Sequence, residues 1–251
     1  MMKNGLPAIE SESQVDVARA ASLVFLKQME VFSYSDPRNS ELMILIARSY
    51  GSFAFGFLEE DRLRKDPKAA TQLPLFYTRG RDAGLRALPR LKMQMGFQEW
   101  QLAISKMGKS KVPALFWTAF NWGNLILLKP DDPQNLIDLA KVEAMMRRVD
   151  QLQPDYHYGS VQTFFGSLLA MKPQMLGGNP VEAKKRFEKA IVLSQGKFLM
   201  NQVLFAQFYA NAFDPALKKE LLEKIESSAE HLLPSQELAN QLAKRRAALL
   251  R

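Results

Sequence analysis

Apolar residues recur along most of this chain at intervals of three and four, the spacing of one helix face, while the strict alternation of a half-buried strand is scarce. Five small polar residues each stand before a proline, at Asp36-Pro37, Asp66-Pro67, Asp132-Pro133, Asn179-Pro180 and Asp214-Pro215. Several of these read as helix starts: an Asp or Asn oxygen accepts from free N–H groups of the first turn, and proline at the first helical position gives up no bond. Asn179 with Glu182 has the spacing of a capping box. Between these marks no Asn-Gly or Asp-Gly pair signals a hairpin, so the pattern predicts an all-α chain.

A longer period lies over this one. Ala183, Phe187 and Ala190 in EAKKRFEKAI have the spacing of the second helix of a tetratricopeptide repeat, where small residues let paired helices approach and an aromatic fills the gap. The same spacing fits Gly80, Gly84 and Ala87, and also Val142, Met146 and Val149 with Pro154 five residues on. Residues 222–229, ending at Pro234, form a weaker copy. Each copy follows a segment of another kind. Residues 116–128, 160–171 and 198–213 carry no charge, and 42–58 carries only Arg48, whereas the partners KKRFEK and KKELLEK are charged. A helix neutral all round must be covered on both sides, which places the neutral first helices in an inner layer and the charged second helices outside.

The inner face is aromatic, and an open solenoid groove would need charges there. Phe53 and Phe57, then Phe116, Trp117 and Phe120, then Phe164 and Phe165, then Phe205, Phe208 and Tyr209 fall on these segments. The expected architecture is a set of degenerate tetratricopeptide-like repeats curled around an apolar cavity or pore. The alternatives are burial of that face against another subunit, or aromatics that simply fill a solid core. Asn121, Asn124, Gln162 and Gln207 are the polar groups that would orient a ligand, or else satisfied core amides. The division expected is an N-terminal segment with a first helix over 1–35 and a single repeat domain over 36–251.

Composition narrows the chemistry. The 251 residues are 47% apolar, enough for a sizeable core, and they include no Cys, which removes disulfides and thiolate chemistry. His157 and His231 are far apart and lack a zinc-binding spacing, so no metal and no cofactor are expected. Residues 112–128 are uncharged, but Thr118, Asn121, Gly123 and Asn124 interrupt them, so the segment reads as a buried helix rather than a membrane span. Of the net charge of +8, most lies in 62–92, where nine Lys and Arg face only Asp66 and Asp82. Nucleic acid is disfavoured because Phe76 and Tyr77 are the only aromatics interleaved there.

No catalytic motif survives inspection. Gly108-Lys109-Ser110 lacks the upstream glycine of a phosphate loop, Gly51 and Gly56 are followed by Phe57-Leu58 rather than lysine, and Gly177-Gly178 reads as a turn into a helix. His157 has no accompanying nucleophile motif or carboxylate pair, and His231 reads as a solvated group near a helix end. The chain is expected not to be an enzyme.

The blocks ALFWTAFNWGNLI, the long segment AKVEAMMRRVDQLQPDYHYGSVQTFFGSLLAMKPQMLGGNPVEAKKRFEKAI, LSQGKFLMNQVLFAQFYANAFD and NQLAKRRAALL, preceded by SYGSFAFGFLEED and YTRGRDAGLRAL, together resemble the T component, TatT, of TRAP transporters. The resemblance runs over roughly 40–250. It implies a periplasmic or lipid-anchored helical protein with degenerate repeats, assembly into a homotrimer, a hydrophobic pore in each protomer, and docking of the periplasmic solute-binding P subunit. It carries over Phe53, Phe57, Phe116, Trp117, Phe120, Asn121, Asn124, Phe164, Phe165, Phe205 and Tyr209 as pore or ligand lining. The basic stretch 62–92 reads as a solvated linker and helix face or as a site for phosphate, anionic lipid or an acidic patch on a partner; if it docks the P subunit, Arg79, Arg81 and Arg86 carry the contact. The sequence opens MMKNGLPAIESESQ, without the signal peptide and cysteine of a lipoprotein member, so any membrane contact is expected only through an anchor outside this sequence. The expected role is a non-enzymatic accessory subunit that binds the P subunit and a hydrophobic or amphipathic small ligand. The alternative is a tetratricopeptide-type interaction scaffold with no small ligand.

Overall fold

The computed structural model describes residues 5–129 and 132–251, the side chain of residue 136 excepted; residues 1–4 of the expected N-terminal segment lie outside it. Among the described residues there is no strand and the chain is 80% helical, so the fold is all-α. The helices are α1 (Gly5–Glu10), α2 (Val15–Ser35), α3 (Ser40–Leu63), α4 (Pro67–Ala87), α5 (Phe97–Ser105) and α6 (Val112–Leu127). There follow α7 (Pro133–Leu152), α8 (Tyr156–Met171), α9 (Pro180–Leu193), α10 (Met200–Leu204, continuing through Phe205–Ala210 and Asn211–Phe213), α11 (Pro215–Glu226) and α12 (Glu237–Leu249).

Four of the five polar-proline pairs open helices. Asp66, Asp132, Asn179 and Asp214 accept from the backbone N–H of Lys68, Gln134, Glu182 and Leu217 at 2.9–3.0 Å. Asp36-Pro37 is instead a turn, in which Asp36 Oδ2 accepts from Asn39 Nδ2 at 2.9 Å. Asn39 caps α3 by accepting from Leu42 N at 3.0 Å.

Contacts divide the chain into two compact units, residues 19–153 and residues 1–18 with 154–251. In the first, α3 and α4 form a hairpin, α4 packs on α6, and α6 pairs with α7. Two helical glycines set the close approach of α4 to α6. A Cβ at Gly80 would lie 2.2 Å from Asn121 Oδ1, and one at Gly84 would lie 2.2 Å from Thr118 Oγ1. Helix α5 packs on α7, where the fully buried Trp100 donates from its indole N–H to Lys141 O at 3.2 Å. In the second unit α8 and α9 form a hairpin, α10 and α11 another, and α12 packs on both of the latter. Here the glycine is Gly166, whose Cβ would lie 2.8 Å from the Phe187 ring. Helix α1 lies on α12, and Gln236 Nε2 donates to Glu10 Oε2 at 3.1 Å.

The repeat spacing marks the hairpin interfaces. Ala183, Phe187, Ala190, Val142, Met146 and Val149 are all fully buried, and Gly80, Gly84 and Ala87 are buried too. The weakest copy is corrected: α11 ends at Glu226, so Leu222 and Ile225 are core while Ala229 lies past the helix, exposed. This order of paired helices is consistent with tetratricopeptide-like repeats. Helix α6 has 16 residues and buries eleven of them, and at about 24 Å it falls short of the ~30 Å apolar core of a bilayer. By length and composition α3 is apolar enough to span, yet 61% of that window is buried inside the fold.

Candidate functional site

Both units bury aromatics from first helices poor in charge, and each has one such helix locally widened. In α3 the segment Ala54–Leu58 is π-helical, with Glu59 N donating to Ala54 O five residues back. In α10 the segment Phe205–Ala210 is likewise π-helical, with Asn211 N bonded to Ala206 O. A π-turn rotates the residues that follow it relative to an uninterrupted α-helix, and such bulges gather at functional places.

In residues 19–153 the aromatics form two clusters. Phe53 meets Phe57 at 5.0 Å and Phe76 at 5.2 Å between centroids, and Phe116, Trp117 and Phe120 lie within 5.9 Å of one another. Phe55, which sequence reasoning passed over, packs edge-on against Phe120 at 5.3 Å. Its place in the same uncharged run was the available signal. Phe53, Phe57, Phe116, Trp117 and Asn121 are at most 4% exposed, whereas Phe120, Asn124 and Phe55 are half-buried. Arg48, the single charge predicted for α3, lies 5.7 Å over the Trp117 ring. Asn121 Nδ2 donates to Ala47 O at 2.9 Å and Trp117 O at 2.7 Å, and Asn124 Nδ2 donates to Phe120 O at 2.8 Å.

In the other unit Phe164 and Phe165 meet at 5.1 Å, and Phe205 meets Tyr209 at 5.4 Å. Phe165, Phe205 and Tyr209 are buried and Phe164 is half-buried. Phe187, on the charged partner helix, stacks on Phe205 at 4.9 Å. Arg186 from α9 lies 5.5 Å over Phe165 and donates to Gln162 Oε1 at 2.9 Å, while Arg246 donates to Gln207 Oε1 at 3.0 Å. Both glutamines are thus engaged by arginines from neighbouring helices.

The start of α8 is left-handed. His157, Tyr158 and Gly159 have φ of 48°, 58° and 79°, a conformation that costs a non-glycine residue about 1–2 kcal/mol. It is held by Asn201, whose Nδ2 donates to Tyr158 O at 2.9 Å, and by the Tyr158 ring stacked 4.9 Å from Phe198. His157 Nδ1 lies 3.1 Å from Ser160 Oγ, so the histidine takes part in this turn. His231 precedes α12 rather than ending a helix, with Nδ1 3.4 Å from Glu237 Oε2.

The three arginines predicted to dock a partner differ in surroundings. Arg79 is tied in: Nη1 donates to Tyr50 Oη at 3.2 Å and lies 4.0 Å from Glu30 Oε1, and Tyr50 Oη donates to Glu30. Burial, reinforced by the bond to Glu30, pushes the Tyr50 phenol well above its usual value. Burial also opposes ionisation of Glu30, but hydrogen bonds from Lys27 and Tyr50 and the charges of Lys27 and Arg79 prevail, holding its carboxyl below the ordinary 4.5. Arg81 is mostly covered, paired with Asp82 at 2.8 Å and 5.9 Å over Trp122. Arg86 is exposed and donates to Pro37 O at 3.3 Å. Among the described residues no group of three or more His, Asp or Glu is placed to hold a metal ion.

The chain is an all-α protein of successive helix hairpins, an arrangement consistent with tetratricopeptide-like repeats. The family defined as the TRAP transporter T-component matches residues 11–251, and the chain belongs to that family. No curated protein matches the chain. Membership makes it an accessory component of a transport system that works with other TRAP subunits at or near a membrane.

Proposed function

We propose that the protein is a periplasmic, non-enzymatic T subunit that binds the solute-binding P subunit and shelters a hydrophobic or amphipathic small ligand against its aromatic first helices. The family match over 11–251 carries this reading. The ligand part draws support from Phe120, half-buried and edge-on to the half-buried Phe55, and from the half-buried Asn124 bonded to the Phe120 carbonyl. Within residues 19–153 the buried Phe53, Phe57, Phe116 and Trp117 complete the aromatic face of which Phe55 and Phe120 are the half-buried part. Docking of the P subunit falls first to Arg86, which is exposed and bonds a backbone carbonyl where Arg79 and Arg81 are paired with carboxylates, those two contributing field rather than contact. Homotrimer assembly is part of the proposal, and α2 offers a surface for it in the exposed Val24, Val31 and Phe32.

A second reading, an interaction scaffold without a small ligand, is favoured by one observation: eight of the eleven lining residues, all but Phe120, Asn124 and Phe164, are 8% exposed or less. Native mass spectrometry of the purified chain, alone and mixed with its P subunit, separates the two. A trimer carrying apolar adducts and gaining P subunits supports the first; a protein that never carries an adduct, whether or not it gains P subunits, leaves the scaffold; a bare monomer that ignores P removes the first.

A further inference from the structure

Apart from Val192, 74% exposed at the other end of α9, the most exposed apolar side chains of residues 154–251 gather at the tips of its two hairpins. Met175 is 97% exposed, Val181 69%, Leu176 67% and Met171 47%, all at the α8–α9 turn, and Phe213, at the end of α10, is 46% exposed. Lys184 Nζ lies 3.8 Å from Asp214 Oδ2, which brings the start of α9 beside the end of α10 and sets these side chains on one edge. Contiguous exposed apolar surface of this kind marks an interaction site.

The edge is preformed. Leu176 N donates to Pro173 O at 2.9 Å, Gly178 N to the same oxygen at 3.0 Å, and Asn179 N to Leu169 O at 3.0 Å. Gly177 takes φ 89°, and a Cβ at Gly178 would lie 1.9 Å from Lys172 O, so the turn closes this tightly only with glycine there. Met175 and Leu176 are therefore displayed on fixed backbone, and their burial carries no backbone ordering cost. They project rather than line a groove. Around them cations outnumber carboxylates: Lys172, Lys184, Lys185, Arg186 and Lys189 stand against Glu182, Glu188 and Asp214, with Asp214 beside Lys184 and Glu182 paired with Arg186. Apolar tips ringed by lysines, whose stems are apolar and whose heads reach outward, fit a deformable apolar phase with an anionic surface.

We propose that this edge lands on a lipid bilayer, with Met175 and Leu176 entering the acyl boundary and the lysines meeting anionic headgroups. The contact is separate from any lipid anchor and from docking of the P subunit. Flotation of the unlipidated chain with phosphatidylcholine vesicles, with and without phosphatidylglycerol, tests it. Binding is expected with the anionic vesicles, weakened by added salt and at least about tenfold weaker with neutral ones. The double variant Met175→Asp and Leu176→Asp is expected to lose binding by about tenfold or more while melting as the parent does, because both side chains are exposed. Met175→Trp places a reporter at the tip against native tryptophans that are all 2% exposed or less, and its emission should move to the blue with anionic vesicles. Failure of the parent to float, or a double variant that floats like the parent, overturns the proposal. So does a double variant that still floats but no longer captures the P subunit, which would make the edge a protein-docking site.

Discussion

In residues 19–153 the glycines at 80 and 84 admit polar side chains, Asn121 and Thr118, whereas in the other unit Gly166 admits the ring of Phe187. A polar group enters such a contact only if its hydrogen bonds are already made. Thr118 Oγ1 donates to Ala114 O at 2.6 Å, and Asn121 donates to carbonyls on two helices. Phe187 requires only volume and a stacking partner, which Phe205 supplies. The polar contact is therefore pinned in position, and the aromatic one retains freedom to tilt.

The largest effect expected from this difference is at Gly80. Gly80→Ala sets a methyl 2.2 Å from an amide that cannot retreat, and should cost about 2–3 kcal/mol in urea unfolding, outweighing the ~1 kcal/mol gain in helix propensity. A variant as stable as the parent would break the comparison. Asn201→Ala comes next, at about 2 kcal/mol, since Asn201 Nδ2 also reaches Ala190 O and Ser194 Oγ; faster amide exchange at residues 157–160 would trace the loss to the left-handed turn. Gly166→Ala should cost only about 1 kcal/mol, because the Phe187 ring can shift on Phe205. An equal or greater loss than at Gly80 reverses the ranking.

Smaller effects separate the arginines. The folded carboxyl of Glu30 lies below the ordinary 4.5, so its contribution is present above that value and is lost as pH falls through the folded value. Glu30→Gln should flatten this acid limb of the stability curve, and an unchanged acid limb would show that the Tyr50–Arg79 cluster does not depend on the charge. Arg86→Glu should leave stability within about 0.5 kcal/mol while slowing association with the P subunit and flattening its salt dependence. Charge reversal at Arg79 should instead disturb the fold, so the two variants divide docking from structure. Unchanged association in Arg86→Glu would remove the basic stretch from the interface.

The helix starts and the hairpin contacts were legible because they rest on local chemistry: a cap oxygen before a proline, and small residues at intervals of four and three. The burial of α6 was readable from its lack of charge. What was not readable depends on partners distant in sequence. Asp36-Pro37 looks like the other starts, and only Asn39, three residues on, captures the cap. The π-turns at Ala54–Leu58 and Phe205–Ala210 leave no composition mark, since their wider bonds are fixed by packing. The left-handed turn at 157–159 places two non-glycine residues where only Gly159 advertised the conformation. Arg79 reads as a free basic residue until Glu30 and Tyr50 are seen beside it. Within the aromatic face, sequence located the clusters but not their half-buried part, because which of Phe116, Trp117 and Phe120 remains open depends on Phe55 across the interface.

The second unit is assembled from both ends of the chain, residues 1–18 and 154–251, with residues 19–153 inserted between them. Residues 19–153 make their contacts within one continuous stretch, whereas α1 meets α12 across more than 220 positions of chain. Closing so long a loop carries an entropy cost that the inserted unit does not meet, so on dilution from denaturant the inserted unit is expected to form first and the seating of α1 on α12 last.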